Sequence, residues 1–69
     1  MIKFAERLRE LRMERHLTQQ EMAEFLGMNT RAYQYYEGDD RRPTYEKLVA
    51  LADFFQVSVD YLIGHSDQR

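Results

Sequence analysis

Apolar and polar positions along this chain recur with the period of a helix rather than a strand. Phe4, Leu8 and Leu11 stand at i, i+4 and i+7 with Glu and Arg between them, which predicts an amphipathic helix from about Lys3 to Arg15. Thr18-Gln19-Gln20-Glu21 has the capping-box form, in which hydroxyl and carboxylate satisfy the free amides of a helix start. The second helix opened there places Met22, Ala23 and Leu26 on one face and ends at Gly27. Asn29 offers a further N-cap, and Ala32, Tyr33 and Tyr36 form the apolar face of a third short helix reaching Glu37. Residues 38–43 read as a loop. Thr44 then caps a fourth helix with Tyr45, Leu48, Val49, Ala52 and Phe55 as its stripe, and Ser58 caps a fifth that closes at Gly64. His65 to Arg69 reads as a frayed tail. No strand pattern, repeat or low-complexity stretch appears, so the expected fold is all-α, five helices in one domain over residues 1–64 followed by a flexible tail over 65–69.

Composition narrows what such a domain can do. With 69 residues it buries only roughly 60% of its unfolded surface, so its function is expected on the surface and not in an enclosed cavity. The absence of cysteine removes disulfides and thiolate metal ligands. His16 and His65 have no i, i+4 partner, Ser58 reads as a cap, Ser66 lacks a glycine-elbow context, and the glycines form no phosphate-cradling loop. Neither an enzyme, a metal site nor a cofactor is expected. No apolar run approaches the ~20 residues of a membrane span, and the opening Met1 to Arg7 lacks a signal peptide's apolar stretch, so the reading is cytosolic.

The formal net charge of −2 hides an asymmetry. Residues 1–16 carry five cations against three carboxylates, whereas residues 44–69 carry two against four. One end is therefore suited to a polyanion and the other to water.

The informative feature is the joint between the second and third helices. A three-residue connection, Gly27-Met28-Asn29, forces a steep crossing, and Ala23 supplies the small side chain that a close approach needs. If Met22, Leu26, Met28, Tyr33 and Tyr36 face inward, Thr30, Arg31, Gln34 and Tyr35 are left on the outer face of helix three, all able to hydrogen-bond.

Leu11-Arg12, Leu17-Thr18-Gln19, Glu21-Met22-Ala23, Leu26-Gly27, Tyr36-Glu37, Pro43 and the stretch from Leu51 to Gly64 together resemble the Cro/CI-type (Xre-like) helix-turn-helix domains, over about residues 3 to 64. The resemblance implies a compact five-helix domain of the lambda/434-repressor-like type, with the helix-turn-helix in helices two and three. It also implies a bacterial or phage-encoded transcriptional regulator, in the repressor sense, that reads a palindromic operator in double-stranded DNA as a homodimer, cytoplasmic and nucleoid-associated when DNA-bound. Carried over position by position, the DNA-facing residues would be Gln19, Asn29, Thr30, Arg31, Gln34, Tyr35, Arg41 and Arg42, and Arg12 with Glu37 would be a structural ion pair. Arg31 has the chemistry to bond guanine in bidentate fashion and Gln34 to bond adenine, with a phosphate contact the alternative for Arg31. The exposed members of Phe54, Tyr61 and Ile63 on the last two helices are the expected dimer surface, with completion of the core the alternative for Phe54 and Ile63.

One stretch departs from the family pattern. Family members commonly read Glu-x-Gly after helix three, whereas here Gly38 follows Glu37 directly and Asp39 takes the glycine position. Asp39 and Asp40 add negative charge near the expected phosphate path, which predicts weak non-specific affinity. The acidic pI near 5.6 supports a rival reading, a protein-interaction module of the same fold such as an antitoxin or anti-regulator component.

Overall fold

The computed structural model describes residues 3–69, so Met1 and Ile2 of the expected 1–64 domain lie outside the described residues. Five helices follow in order: α1 Phe4–Glu14, α2 Gln19–Leu26, α3 Thr30–Glu37, α4 Tyr45–Phe55 and α5 Val59–Ile63. Among the described residues there is no strand. Every start after α1 is set locally by a side chain. Thr18 and Glu21 form the full capping box, and the oxygens of Asn29, Thr44 and Ser58 accept from Ala32, Lys47 and Tyr61 amides. The ends are equally local. Gly27 stands at φ 70° as α2 stops, and Gly64 at φ 88° closes α5. At Gly64 a Cβ would lie 2.9 Å from the Lys3 amide nitrogen, which itself donates to the Ile63 carbonyl at 3.0 Å. Glycine there lets the start of α1 pack against the end of α5.

Phe4, Leu8 and Leu11 of α1 meet Met22, Ala23, Tyr33, Tyr36, Leu51, Ala52, Phe55 and Leu62 in one core. Ala23 is buried in that core, where α2 packs on α3. Tyr36 packs edge-on against both Phe4 and Tyr33, giving the core directional aromatic contacts.

Two expectations are corrected. Tyr45, placed in the α4 stripe, is 74% exposed, while Leu51 is fully buried. Tyr45 is the first helical residue, so its Cβ leans back toward the open N-terminal end, and the inward stripe runs Leu48, Leu51, Ala52 and Phe55. Tyr61, expected on a dimer surface, is only 8% exposed, because the guanidinium groups of Arg7 and Arg69 cover its ring at 4.1 and 5.3 Å. Residues 65–69, read from the sequence as a tail, make contacts with α1 and the start of α5. The Asp60 carbonyl accepts from the amides of His65 and Ser66, the Ser58 amide donates to the Arg69 carbonyl, and Arg69 pairs with Glu14 on α1.

Candidate nucleic-acid interface

The inner face of α3 is fixed by charge as well as by packing. Arg12 of α1 grips Glu37 in a bidentate pair, Nε to Oε2 at 2.6 Å and Nη2 to Oε1 at 3.1 Å, and donates through Nη1 to the Leu17 carbonyl at 2.9 Å. The Tyr33 hydroxyl donates to Oε2 of the same carboxylate. With only 5% of the Glu37 side chain and 14% of the Arg12 side chain exposed, this is a buried pair joining the first and third helices. Burial alone would raise the Glu37 pKa, but the hydrogen bonds from Arg12, Tyr33 and Gln19 outweigh it and hold the carboxyl below the usual range. The bond to Glu37 raises Arg12 further, and burial with the same carboxylate keeps the Tyr33 hydroxyl protonated well past its ordinary value. The pairing expected of Arg12 and Glu37 is thus present. Tyr33 was foreseen as core but not as a third member, although its i, i+4 spacing to Glu37 was readable.

The network reaches the surface through two glutamines. Gln19, first residue of α2, donates from Nε2 to Glu37 Oε1 at 3.2 Å and accepts at Oε1 from Gln34 Nε2 at 3.1 Å. Gln19 and Gln34, fifteen residues apart in the chain, are thereby brought side by side.

Around them lies the outer face of α3. Arg31 and Gln34 are exposed, and Thr30 and Tyr35 are half-buried. The Arg41 guanidinium stacks 5.0 Å from the Tyr35 ring centre, and the Tyr35 carbonyl accepts from the amides of Asp40 and Arg41 at 2.9 and 3.2 Å. The loop after α3 is thus stitched to its last turn. Asp39 adopts the left-handed conformation at φ 62°, in the position where the family pattern has glycine. Asn29 is occupied differently from a simple surface contact: its Oδ1 caps α3 at 2.7 Å, which leaves its amide nitrogen for a ligand. Arg42 is exposed and, with Pro43, Leu48, Phe4 and Ile63, lines a cleft of about 120 Å³. Of the sequence-derived residues, Gln19 touches Gln34 and Arg41 touches Tyr35, Asn29 caps α3, Thr30 and Arg31 stand in its first turn, and Arg42 lines the cleft.

Sequence reasoning missed Arg7. It donates through Nη1 to the Tyr61 and Ser66 carbonyls and through Nη2 to Asp67 at 2.7 Å. Its position i+3 from Phe4 and i−4 from Leu11, on the apolar face, was the available signal. Among the described residues no group of three His, Cys, Asp or Glu side chains could hold a metal ion, and no helix is long and apolar enough to cross a membrane.

A capped helix, a glycine-led turn and a second helix pinned so that its polar face points outward define a helix-turn-helix unit. The helix-turn-helix family model matches residues 8–62, and the chain belongs to that family. It is 41% identical over 64 residues to the HTH-type transcriptional regulator YobD of Bacillus subtilis (strain 168), covering 93% of this chain and 57% of that protein. It is 38% identical over 63 residues to the cryptic phage CTXphi transcriptional repressor RstR of Vibrio cholerae, covering 91% of this chain and 56% of that one. A crystal structure of a transcriptional regulator from Listeria innocua superposes with a TM-score of 0.91 at 36% identity, covering 100% of this chain and 64% of that one. The chain thus spans less than two thirds of the length of these proteins. They are transcriptional regulators by name.

Proposed function

We propose that this domain binds double-stranded DNA as a homodimeric transcriptional repressor, laying α3 in the major groove of each half of an inverted-repeat operator. The observation that carries the reading is the outer face of α3. Arg31 and Gln34 stand exposed on a helix whose inner face is locked by the buried Arg12–Glu37 pair. A rigid helix presenting donors and acceptors fits the major groove, where each base pair has its own hydrogen-bonding pattern. Gln19 and the Asn29 amide flank this face at two helix starts, and Arg41 on Tyr35 extends it, so these three are assigned to the phosphate backbone and Arg31 and Gln34 to base edges. The repressor sense follows from the name of the Vibrio cholerae relative. A module this small reads few base pairs, so pairing about a two-fold axis would place two half-sites about 34–36 Å apart. Ile63 with the cleft beside Arg42 and Pro43, and half-buried Phe54 stacked on Phe25, supply the apolar surface for pairing, and Tyr61 is withdrawn from it. Such a protein acts in the bacterial cytoplasm, on the chromosome or a resident phage genome.

Selection from a random duplex pool at near-physiological salt, followed by anisotropy titration, tests the reading. An enriched inverted repeat bound at least about 10³-fold tighter than scrambled DNA is expected, with affinity falling steeply as salt rises. Arg31→Ala should relax preference at one base pair by about 1–3 kcal/mol, whereas a uniform loss over all duplexes would reassign Arg31 to phosphate. Weak, sequence-blind binding would overturn the proposal and favour a protein partner.

A further inference from the structure

We infer that Gln19 and Glu37 are positioning residues that fix the hydrogen-bonding polarity of Gln34, so that Gln34 presents one donor and one acceptor outward and selects adenine over guanine. The inference rests on the DNA-reading function proposed above and deepens it.

An ionised carboxylate only accepts hydrogen bonds. Glu37 Oε1 lies 3.2 Å from the Gln19 amide group, so the Gln19 NH2 must face it and the Gln19 carbonyl must face away. That carbonyl oxygen stands 3.1 Å from the Gln34 amide group, so Gln34 in turn must direct an N–H toward Gln19. The orientation of an exposed glutamine, ordinarily free to flip, is thus dictated through two bonds by an ion pair in the core. Arg12 holds the carboxylate by two bonds and Tyr33 by a third, so the relay starts from a fixed point.

The consequence concerns which hydrogen remains. A glutamine amide has two N–H donors and one carbonyl acceptor. Gln34 uses one N–H on Gln19, leaving one donor and one acceptor. The major-groove edge of adenine offers one acceptor, N7, and one donor, the N6 amino group, which matches that remainder. Guanine offers two acceptors, N7 and O6. An unrestrained glutamine can turn both N–H groups toward them, but Gln34 held by Gln19 cannot. Gln19 therefore contributes to base choice without touching the base.

The test uses the selected operator with each base pair varied in turn, measured by anisotropy with the full chain. In the parent protein, adenine at the position read by Gln34 should exceed guanine by about tenfold or more. Gln34→Ala should abolish that preference. Gln19→Ala should cut the adenine-to-guanine ratio severalfold at the same position and leave ratios elsewhere unchanged. The double variant should show no further loss of discrimination there. A Gln19→Ala protein that binds every duplex more weakly by one common factor, with the ratio intact, would overturn the relay while leaving DNA reading in place. If the parent protein enriches no sequence at all, the function on which the relay rests falls, and the relay with it. A folded state for each variant is verified by its circular dichroism melt, since both glutamines lie at the surface edge of the network.

Discussion

Arg7 and Arg12 lie five residues apart on α1, and the fold takes both out of water by different means. Arg12 is matched by a still more deeply buried carboxylate, and the pair ties α1 to the end of α3. Arg7 is given the carbonyls of Tyr61 and Ser66, the face of the Tyr61 ring, and an aspartate whose side chain is 91% exposed. One site neutralises charge with charge in low dielectric, where each partner depends on the other. The other spreads a single charge over neutral dipoles, a π face and a group still in contact with water. The first arrangement is brittle and sets the orientation of the candidate reading helix, while the second is forgiving and fastens the last residues of the chain to the helix that opens it. The two can be told apart by removing partners one at a time.

The largest effect is expected at Glu37. Glu37→Ala leaves the Arg12 guanidinium buried without its counter-charge and the Tyr33 hydroxyl without an acceptor, which costs about 3–5 kcal/mol by urea unfolding. In a domain whose whole stability is roughly 5 kcal/mol or little more, much of the population should be unfolded at 37 °C. Glu37→Gln keeps the shape and some acceptor capacity, and it isolates the charge. Because the native carboxyl sits below its ordinary value, the unfolded chain binds more protons than the native state in acid. The stabilisation is therefore complete above about pH 4.5, the ordinary carboxylate range, and fades as pH falls through the lower native value. Glu37→Gln should flatten the stability curve below pH 4.5. An unchanged slope would mean that another carboxylate governs acid unfolding.

Of the brittle site only the ion pair was legible, and of the forgiving one nothing was, whereas the helix ends could be read locally. The caps at Thr18, Asn29, Thr44 and Ser58 and the stops at Gly27 and Gly64 are read from three or four neighbouring residues, because they answer a local demand of helix ends. Arg12 and Glu37 could be matched only through family resemblance. The contact of Gln19 with Gln34 depends on how α2 crosses α3, which neighbouring residues do not specify. The tail was illegible for a related reason. His65 to Arg69 has no apolar period, and it is ordered by carbonyls and charges that become partners only once α1 and α5 are side by side. Tyr45 misled because an aromatic at the right spacing looks internal even when it occupies the first, open turn of a helix.

A middle effect is expected at Arg7. Arg7→Met keeps the stem that fills the space beside Tyr61 and removes the donors. The carbonyls left behind are neutral, and that of Tyr61 still accepts from the Gly64 amide at 3.0 Å. The cost should be about 1–3 kcal/mol, smaller than that of Glu37→Ala, because no orphaned charge stays behind. Backbone amide exchange should quicken at His65 and Ser66 before it does in α3. Equal destabilisation by Arg7→Met and Glu37→Ala would erase the distinction between the two sites.

The smallest effect is expected at Asp67, and it decides what holds the tail. Asp67 makes a 2.7 Å contact with Arg7, yet its side chain stands almost wholly in water, where an ion pair gains little over the hydration of its two charges. Asp67→Asn keeps the oxygen that accepts from Arg7 and removes the charge. The Ser66 carbonyl and the Tyr61 ring continue to satisfy the guanidinium. The thermal midpoint should shift by no more than about 0.5 kcal/mol equivalent, at low salt and high salt alike. A loss above about 1 kcal/mol that vanishes in high salt would show that the tail is held by Asp67 charge, and that Arg7 is, like Arg12, one half of an ion pair.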